Sequence, residues 1–396
     1  MSQPPHTHTS IDNVQAPQTS LVSRRAGMSA FPHTVTSAAE RSSATLRGGP
    51  LKCKTVFCFW RLWVTVLYRG NLGRAMDDIH PFHVNTPLLE SLYLSKRAGT
   101  TVYMKMDNAQ PSGSFKIRGI GLLCQKAAGS GSKGFVCSSG GNAGLATAYV
   151  ARKLNLPATI IVPSSTSDAM AQKLRDHGAS VRVFGKVWDD ANQEAHRLAE
   201  TEGLTFVPPF DHPLVWQGHA SIVRELKASM PSKPGAVVVA VGGGGLLCGV
   251  VEGLKEVGWG DVPIVAMETK GANCLNAAVT AGKVVTLPDI TSEAKCLGAL
   301  TVCKQAFDVT AEGNIISEVV TDQEALKALE LFVDEERVLV ELACGAALAA
   351  IYSGVIQRLQ SQARLPCLLG PLVVIVCGGS SISLAQLSQL KDKLRG

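Results

Sequence analysis

The sequence contains no apolar run long enough to cross a membrane as a helix. Its longest early apolar stretch, residues 55–68, is interrupted by Arg61 and is shorter than the ~20 residues that a bilayer core requires. Charged residues make up 18% of the chain and aromatic residues 5%, whereas 46% are hydrophobic. This composition excludes a wholly disordered chain and a coiled coil, and it is typical of a globular enzyme.

Several signature motifs are also missing. The cysteines are scattered, with no Cys-x-x-Cys pair and no short spacing to histidine that suits zinc, which favours free thiols in a reducing compartment. The nucleotide motif G-x-x-x-x-G-K-[ST] is absent, so a phosphate site in this chain is not expected to bind ATP. The Rossmann motif fails because Leu247 stands where its third glycine belongs.

Positive charge is concentrated near the N-terminus. Residues 1–75 contain nine basic and two acidic residues, whereas residues 76–396 contain 29 basic and 30 acidic ones. The main body therefore does not attract DNA or RNA, and we predict no nucleic-acid partner. We predict that residues 1–75 are a disordered extension upstream of a functional start at Met76; a mitochondrial targeting segment is the alternative.

From residue 76 onward, short apolar strands alternate with helical patterns. We predict strands at 101–106, 134–137, 158–162, 180–184, 236–241, 263–267 and 372–377, and helices at 114–128, 145–154, 168–177, 188–200, 246–255, 323–333 and 344–359. Such alternation predicts an α/β fold with parallel-rich sheets and helices on both faces.

Two loops between predicted strands and helices are rich in glycine. The four glycines at 242–245 offer backbone N–H groups at the positive end of a helix, an arrangement that binds phosphate. A tight turn alone needs only one or two glycines. The loop at 138–144 has the same placement and could hold a carboxylate, or it could be a structural turn capped by Asn142.

Lys116 stands beside Phe115 in the first turn of a predicted helix. A lysine near a helix start is usually a solvated surface charge. Beside a phosphate loop, however, its amine is what an aldehyde cofactor needs, because the amine forms a Schiff base and later moves a proton.

These loops resemble those of the pyridoxal-phosphate enzymes of fold type II, the tryptophan-synthase-β type. Within that group the chain is similar to the L-serine dehydratase/L-threonine deaminase family, including its serine dehydratase-like members. The likeness rests on Ser112-Gly-Ser-Phe-Lys-Ile-Arg118, Ser139-Gly-Gly-Asn-Ala-Gly144, the tetraglycine loop and Val376-Cys-Gly-Gly-Ser380. It implies two domains, a large cofactor-binding domain at 76–116 and 211–396 and a small substrate-loop domain at 117–210.

The resemblance also implies a role for each site residue. Lys116 would bond the cofactor and serve as the catalytic base. The residues implied to bind the cofactor are Phe115, Asn142, Gly242, Gly243, Gly244, Gly245, Leu246, Cys296 and Cys377, and those implied to bind the substrate are Ser139, Gly140, Asn142 and Ala143. Cys377 would face the ring nitrogen, where a neutral thiol makes the ring a weaker electron sink than an aspartate would and favours β-elimination over racemisation.

A monovalent cation, usually potassium, is implied near the phosphate loop. The implied ligands are Glu268, Ala272, Cys274, Leu297 and Ala299, with Cys274 standing where the family has a serine. Oxygen ligands suit such a hard ion. Glu268 could equally be a structural hydrogen-bond acceptor.

The implied activity is that of an L-serine ammonia-lyase, which makes pyruvate and ammonia and also deaminates L-threonine to 2-oxobutyrate. The implied setting is a cytoplasmic homodimer in amino-acid metabolism and gluconeogenesis. Leu342 and Ser381 depart from the family's usual proline and asparagine, and Cys296 stands where alanine or serine is usual. Gly140, instead of alanine, matches the serine dehydratase-like members and implies looser packing on the substrate, so low activity is an expectation. The alternatives are a related β-replacement enzyme, a serine racemase, or a cofactor-binding protein with little turnover.

Overall fold

The structure is a computed structural model that describes residues 80–367 and 370–395. The predicted N-terminal extension at 1–75 and the predicted start at Met76 lie outside the described residues.

The strands and helices alternate along the chain. The strands are β1 (Leu88–Glu90), β2 (Val102–Lys105), β3 (Phe135–Cys137), β4 (Ala158–Val162), β5 (Ser180–Val183), β6 (Thr205–Phe206), β7 (Ala236–Ala240), β8 (Ile264–Thr269), β9 (Ile315–Val320) and β10 (Leu372–Ile375). The helices are α1 (Leu92–Ala98), α2 (Lys116–Gly129), α3 (Asn142–Lys153), α4 (Asp168–Asp176), α5 (Trp188–Glu202), α6 (Pro213–His219), α7 (Ser221–Ser229), α8 (Gly245–Glu256), α9 (Cys274–Ala281), α10 (Lys304–Thr310), α11 (Asp322–Glu336), α12 (Leu342–Tyr352), α13 (Val355–Ser361) and α14 (Leu384–Arg395).

The described strands form two sheets. The larger has the order β1-β2-β10-β7-β8-β9, and the smaller has the order β5-β4-β3-β6. Neighbouring strands are parallel except for the antiparallel pair β1 and β2. This topology confirms the predicted α/β fold with parallel-rich sheets, whereas the domain boundaries stay a prediction.

The central strands are buried along their whole length. β7 is Ala-Val-Val-Val-Ala and β10 is Leu-Val-Val-Ile, and every residue of both strands is buried. A strand covered on both faces has a continuous run of branched apolar side chains instead of an alternating pattern. In agreement with this pattern, β7 and β10 lie side by side in the middle of the larger sheet, with Val374 opposite Val238.

The prediction of one continuous helix at 344–359 is wrong. The helix expected at 344–359 is two helices, α12 and α13, which break at Ser353 and Gly354. Gly354 has a φ of +68°, a left-handed conformation that ends the first helix at little cost for glycine. The apolar periodicity continues across the break, and it therefore hides the bend.

Glycines allow three helices beside the cleft to touch through their backbones. A Cβ atom on Gly119 of α2 would lie 2.3 Å from the carbonyl oxygen of Val215 in α6. A Cβ atom on Gly218 of α6 would lie 2.4 Å from the carbonyl oxygen of Arg118 in α2. A Cβ atom on Gly249 of α8 would lie 2.7 Å from the Trp216 carbonyl oxygen. The helices α2, α6 and α8 therefore pack as one unit that no larger side chain could enter.

Among residues 80–367 and 370–395, no single helix has the length and hydropathy needed to span a membrane. The helices α12 and α13 have the required length and hydropathy only when they are taken together, and the pair is bent by 46°.

Candidate active site

The candidate site lies where the parallel strands β7 and β10 end. The tetraglycine loop follows β7, and residues 376–381 follow β10, so both loops leave the same edge of the larger sheet. The backbone N–H of Phe115, just before α2, donates to the carbonyl oxygen of Cys377 at 3.0 Å. Ligands in open parallel sheets bind at such carboxyl edges, and the segments that carry Lys116 and Cys377 meet there.

Lys116 is the first residue of α2 and is half-buried in the cleft. Its Nζ donates to the carbonyl oxygen of Pro209 at 2.5 Å and lies 5.2 Å from the centre of the Phe115 ring. Removal from water disfavours the charged amine, so burial lowers the pKa of Lys116 to about 8. A substantial fraction of the amine is therefore neutral near physiological pH and can act as a nucleophile or base.

The lowered pKa predicts that Lys116 reacts with trinitrobenzenesulfonate at unusually low pH. Only the neutral amine reacts, so the labelling rate of the cofactor-free protein should rise with pH to half its maximum near pH 8 instead of near 10.5, the ordinary pKa of a lysine. Mass spectrometry of the Lys116 peptide measures the rate, and the peptide of the exposed Lys304 reports the reactivity of the reagent. A Lys116 rate that is still rising steeply at about pH 10 would contradict the lowered pKa.

The tetraglycine loop packs so closely against its neighbours that side chains on Gly243 and Gly244 would not fit. A Cβ atom on Gly243 would lie 2.4 Å from the ring of Phe210, and one on Gly244 would lie 2.4 Å from the Cβ atom of Ala306. Gly244 also has a φ of +94°, which residues with side chains rarely adopt. No side chain caps α8, so the N–H groups of its first turn are available to an anion.

The predicted substrate loop leads into the N-terminus of α3. Its helix starts at Asn142, three residues before the predicted start at Leu145, and no side chain caps it. The hydroxyl of Ser139 accepts from the N–H of Gly141 at 3.3 Å. A Cβ atom on Gly140 would lie 3.1 Å from both the methyl and the hydroxyl of Thr166, whereas Ala143 is buried. The free amides of this helix end suit a carboxylate.

Asn142 is held by groups from two other segments. Its Nδ2 donates to both carboxylate oxygens of Glu341, at 3.1 and 2.8 Å, and its Oδ1 accepts from the hydroxyl of Ser380. Ser381 donates to Glu341 Oε1 from its backbone N–H at 2.9 Å and from its hydroxyl at 2.6 Å. Glu341 is not among the site residues predicted from the sequence, although it stands in the motif in which Leu342 replaces a proline.

Two cysteines border this cluster. The Sγ of Cys377 lies 3.0 Å from the Sγ of Cys344, and this contact, together with burial, raises the pKa of the Cys377 thiol well above its ordinary value. Cys377 is therefore a neutral thiol at physiological pH. Cys296 is solvent-accessible, and its Sγ lies 3.3 Å from the Ser381 hydroxyl. Both thiols thus lie around the cleft, and their contacts with a cofactor stay predictions.

The predicted cation ligands include Cys274, which contacts the tetraglycine loop at Gly242. Glu268 is buried, and its two oxygens accept from the N–H groups of Leu275 at 2.9 Å and Asn276 at 2.7 Å. Burial raises the pKa of Glu268 to about 8 even so. The Cys274 thiol donates to the Gly242 carbonyl oxygen at 3.4 Å.

A protein donor also occupies one other group of that predicted site. The Leu297 carbonyl oxygen accepts from the Ala299 N–H at 2.8 Å. Within the described residues, no three His, Cys, Asp or Glu side chains are grouped so as to hold a metal ion. The contacts of Glu268 favour its alternative as a structural acceptor at the start of α9, and potassium stays a prediction.

Comparisons with known proteins agree with this chemistry. Residues 79–378 match the family described as pyridoxal-phosphate dependent enzyme. The chain is 60% identical over 314 residues to human serine dehydratase-like, covering 79% of this chain and 95% of that protein. It is 60% identical over 315 residues to human L-serine dehydratase/L-threonine deaminase, covering 79% and 96%. Its fold matches a crystal structure of the L-serine ammonia-lyase of Rhizomucor miehei with a TM-score of 0.74 and 38% identity, covering 79% and 99%.

Proposed function

Because the chain belongs to the pyridoxal-phosphate dependent enzyme family, we propose that it is an L-serine ammonia-lyase that also deaminates L-threonine. The products are pyruvate or 2-oxobutyrate, each with ammonia. The observation that carries the proposal is the half-buried amine of Lys116 on a helix packed, through α6, against the helix that begins at the tetraglycine loop. The printed names of the human and fungal relatives supply the substrates.

Pyridoxal phosphate fits the residues of this cleft. The backbone N–H groups of the loop at 242–245, continued by Leu246 in the first turn of α8, would hold its phosphate, because no side chain caps that helix. Asn142 would bond the ring hydroxyl and Cys377 would face the ring nitrogen. When bound, the cofactor supplies an electron sink that stabilises negative charge on the substrate's α-carbon.

The chain's own groups carry out the remaining chemistry. Lys116 accepts the α-proton at Nζ, for which a pKa of about 8 is well matched. Ser139 and the free amides at the start of α3 hold the substrate carboxylate and thereby fix its orientation. The neutral thiol of Cys377 keeps the electron sink weak, which favours prompt loss of the β-hydroxyl over reprotonation and racemisation.

The setting of the enzyme belongs to the same proposal. We also propose a cytoplasmic homodimer that uses potassium; the free cysteines found in the described part of the chain support the reducing compartment. The printed name of the human dehydratase supports a role in amino-acid metabolism, and a part in gluconeogenesis is proposed with it.

The test is an assay of the full-length protein with pyridoxal phosphate, potassium and L-serine. We expect pyruvate, measured by NADH oxidation with lactate dehydrogenase, and 2-oxobutyrate from L-threonine; replacing potassium by sodium should lower both rates. D-serine without pyruvate would identify a serine racemase, and a product that needs an added thiol would identify a β-replacement enzyme. A bound-cofactor absorbance band without any product would reject catalysis and leave a binding protein.

A further inference from the structure

The carboxylate of Glu341 is buried in the cleft without a cation partner among the described residues. Only 4% of Glu341 is exposed, and its oxygens accept from Asn142 Nδ2 and from two donors of Ser381. A buried carboxylate that lacks a salt bridge needs several hydrogen bonds, which these donors provide. The donors come from distant segments, because Asn142 is 199 residues away in the chain.

Glu341 immediately precedes α12, but its side chain does not cap that helix. As the N-cap residue it makes no side-chain hydrogen bond to the first turn, although an acidic side chain at this position ordinarily binds those N–H groups. The carboxylate reaches the first residue of α3 instead. It therefore links a helix that begins beside the larger sheet with the predicted substrate loop that follows β3 of the smaller sheet.

The contact determines which way the amide of Asn142 points. A carboxylate only accepts hydrogen bonds, so the NH₂ group must face Glu341, while the amide oxygen faces the donating hydroxyl of Ser380. The reversed amide would place its oxygen against the carboxylate and lose both hydrogen bonds to Glu341. The charge of Glu341 thus selects one of two otherwise similar orientations.

We propose that Glu341 is a positioning residue that holds Asn142 in the single orientation presented to the cofactor's ring hydroxyl. Ser381, from the loop after β10, supports it with two donors and thereby keeps the carboxylate in place. This inference rests on the proposed cofactor site and does not depend on which amino acid is the substrate.

The test replaces Glu341 by glutamine, which has the same size but can donate as well as accept. The amide of Asn142 is then no longer forced into one orientation. Titration of the cofactor-free protein with pyridoxal phosphate, followed by absorbance, should show about tenfold weaker binding, the effect of one charge-assisted hydrogen bond, and a displaced absorbance band. Unchanged affinity together with an unchanged band would overturn the proposal.

A double-mutant cycle separates positioning from general damage. Asn142→Ala should weaken cofactor binding by itself, and Glu341→Gln should have less than about a twofold further effect in that background. Additive effects of the two substitutions would mean that Glu341 does not act through Asn142. Because both readouts are cofactor binding, they are independent of pyruvate formation, which alone decides the proposed lyase activity.

The matched control is Glu318→Gln. Glu318 is also nearly buried, with 8% exposure, but it lies on β9 and pairs with Arg358 and Arg364 away from the cleft. This variant should lose thermal stability and keep wild-type cofactor affinity; an affinity loss equal to that of Glu341→Gln would overturn the proposal. If Glu341→Gln does not fold, Ser381→Ala tests the same contact, with a threefold or greater loss of affinity supporting the proposal and no loss refuting it.

Discussion

Replacement of Lys116 by alanine is expected to lower the rate of pyruvate formation from L-serine by at least about three orders of magnitude. The side chain supplies both the amine that bonds the cofactor and the base that takes the α-proton, so its loss removes two functions at once. Its pKa of about 8 makes it suited to both. Steady-state assays at saturating pyridoxal phosphate measure the rate, and absorbance reports how much cofactor is bound.

Two further variants make the result specific. Lys116→Arg keeps a positive charge of similar length but has no amine that can serve as a base at neutral pH, so it should be as inactive as the alanine variant. Lys304→Ala removes a lysine that is 80% exposed and should leave the rate within about twofold of wild type. A Lys116→Ala variant with more than about a tenth of the wild-type rate would show that another group is the base.

Replacement of Arg118 by methionine is expected to reduce the free energy of unfolding by about 3–5 kcal/mol. Arg118 and Asp107 are both fully buried, and the guanidinium donates to both oxygens of Asp107, at 2.6 and 2.8 Å. It also donates to both oxygens of Glu225, at 2.6 and 2.8 Å, whereas Lys105 shares that carboxylate at 2.6 Å. Methionine fills similar space but leaves Asp107 buried without a cation.

Urea unfolding followed by tryptophan fluorescence measures this loss. The control is Arg197→Met, because Arg197 makes a similar paired contact with Glu194, at 2.7 Å to each oxygen, but is 57% exposed. Water screens that pair, so its removal should cost less than about 1 kcal/mol. Equal losses in the two variants would mean that burial does not determine the effect of losing the arginine.

Of the seven strands predicted from the sequence, all but the edge strand β5 lie inside a sheet. Burial on both faces requires an unbroken apolar run, as in β7, and such a run stands out in the sequence. β9 could not be located in this way, because it is an edge strand in which Ser317 and Glu318 interrupt the apolar residues. β6 has only two residues and contains no pattern at all.

The same distinction applies to the site. Lys116 and the tetraglycine loop could be recognised because each depends on consecutive residues at the junction of a strand and a helix. The role that we propose for Glu341 depends on Asn142, and the contact between them exists only after the chain has folded. A local sequence pattern does not contain a contact between residues that are far apart in the chain.

The glycine contacts among α2, α6 and α8 have a consequence for turnover. Backbones that touch directly, as Gly119 and Val215 do, cannot slide past each other without steric clashes. Lys116 at the start of α2 and the tetraglycine loop at the start of α8 therefore stay in fixed register. We expect any opening of the cleft to move segments outside this unit, such as the substrate loop beside Gly140. Amino acids and products can then exchange on one side while the cofactor remains anchored on the other, so one bound cofactor serves successive catalytic cycles.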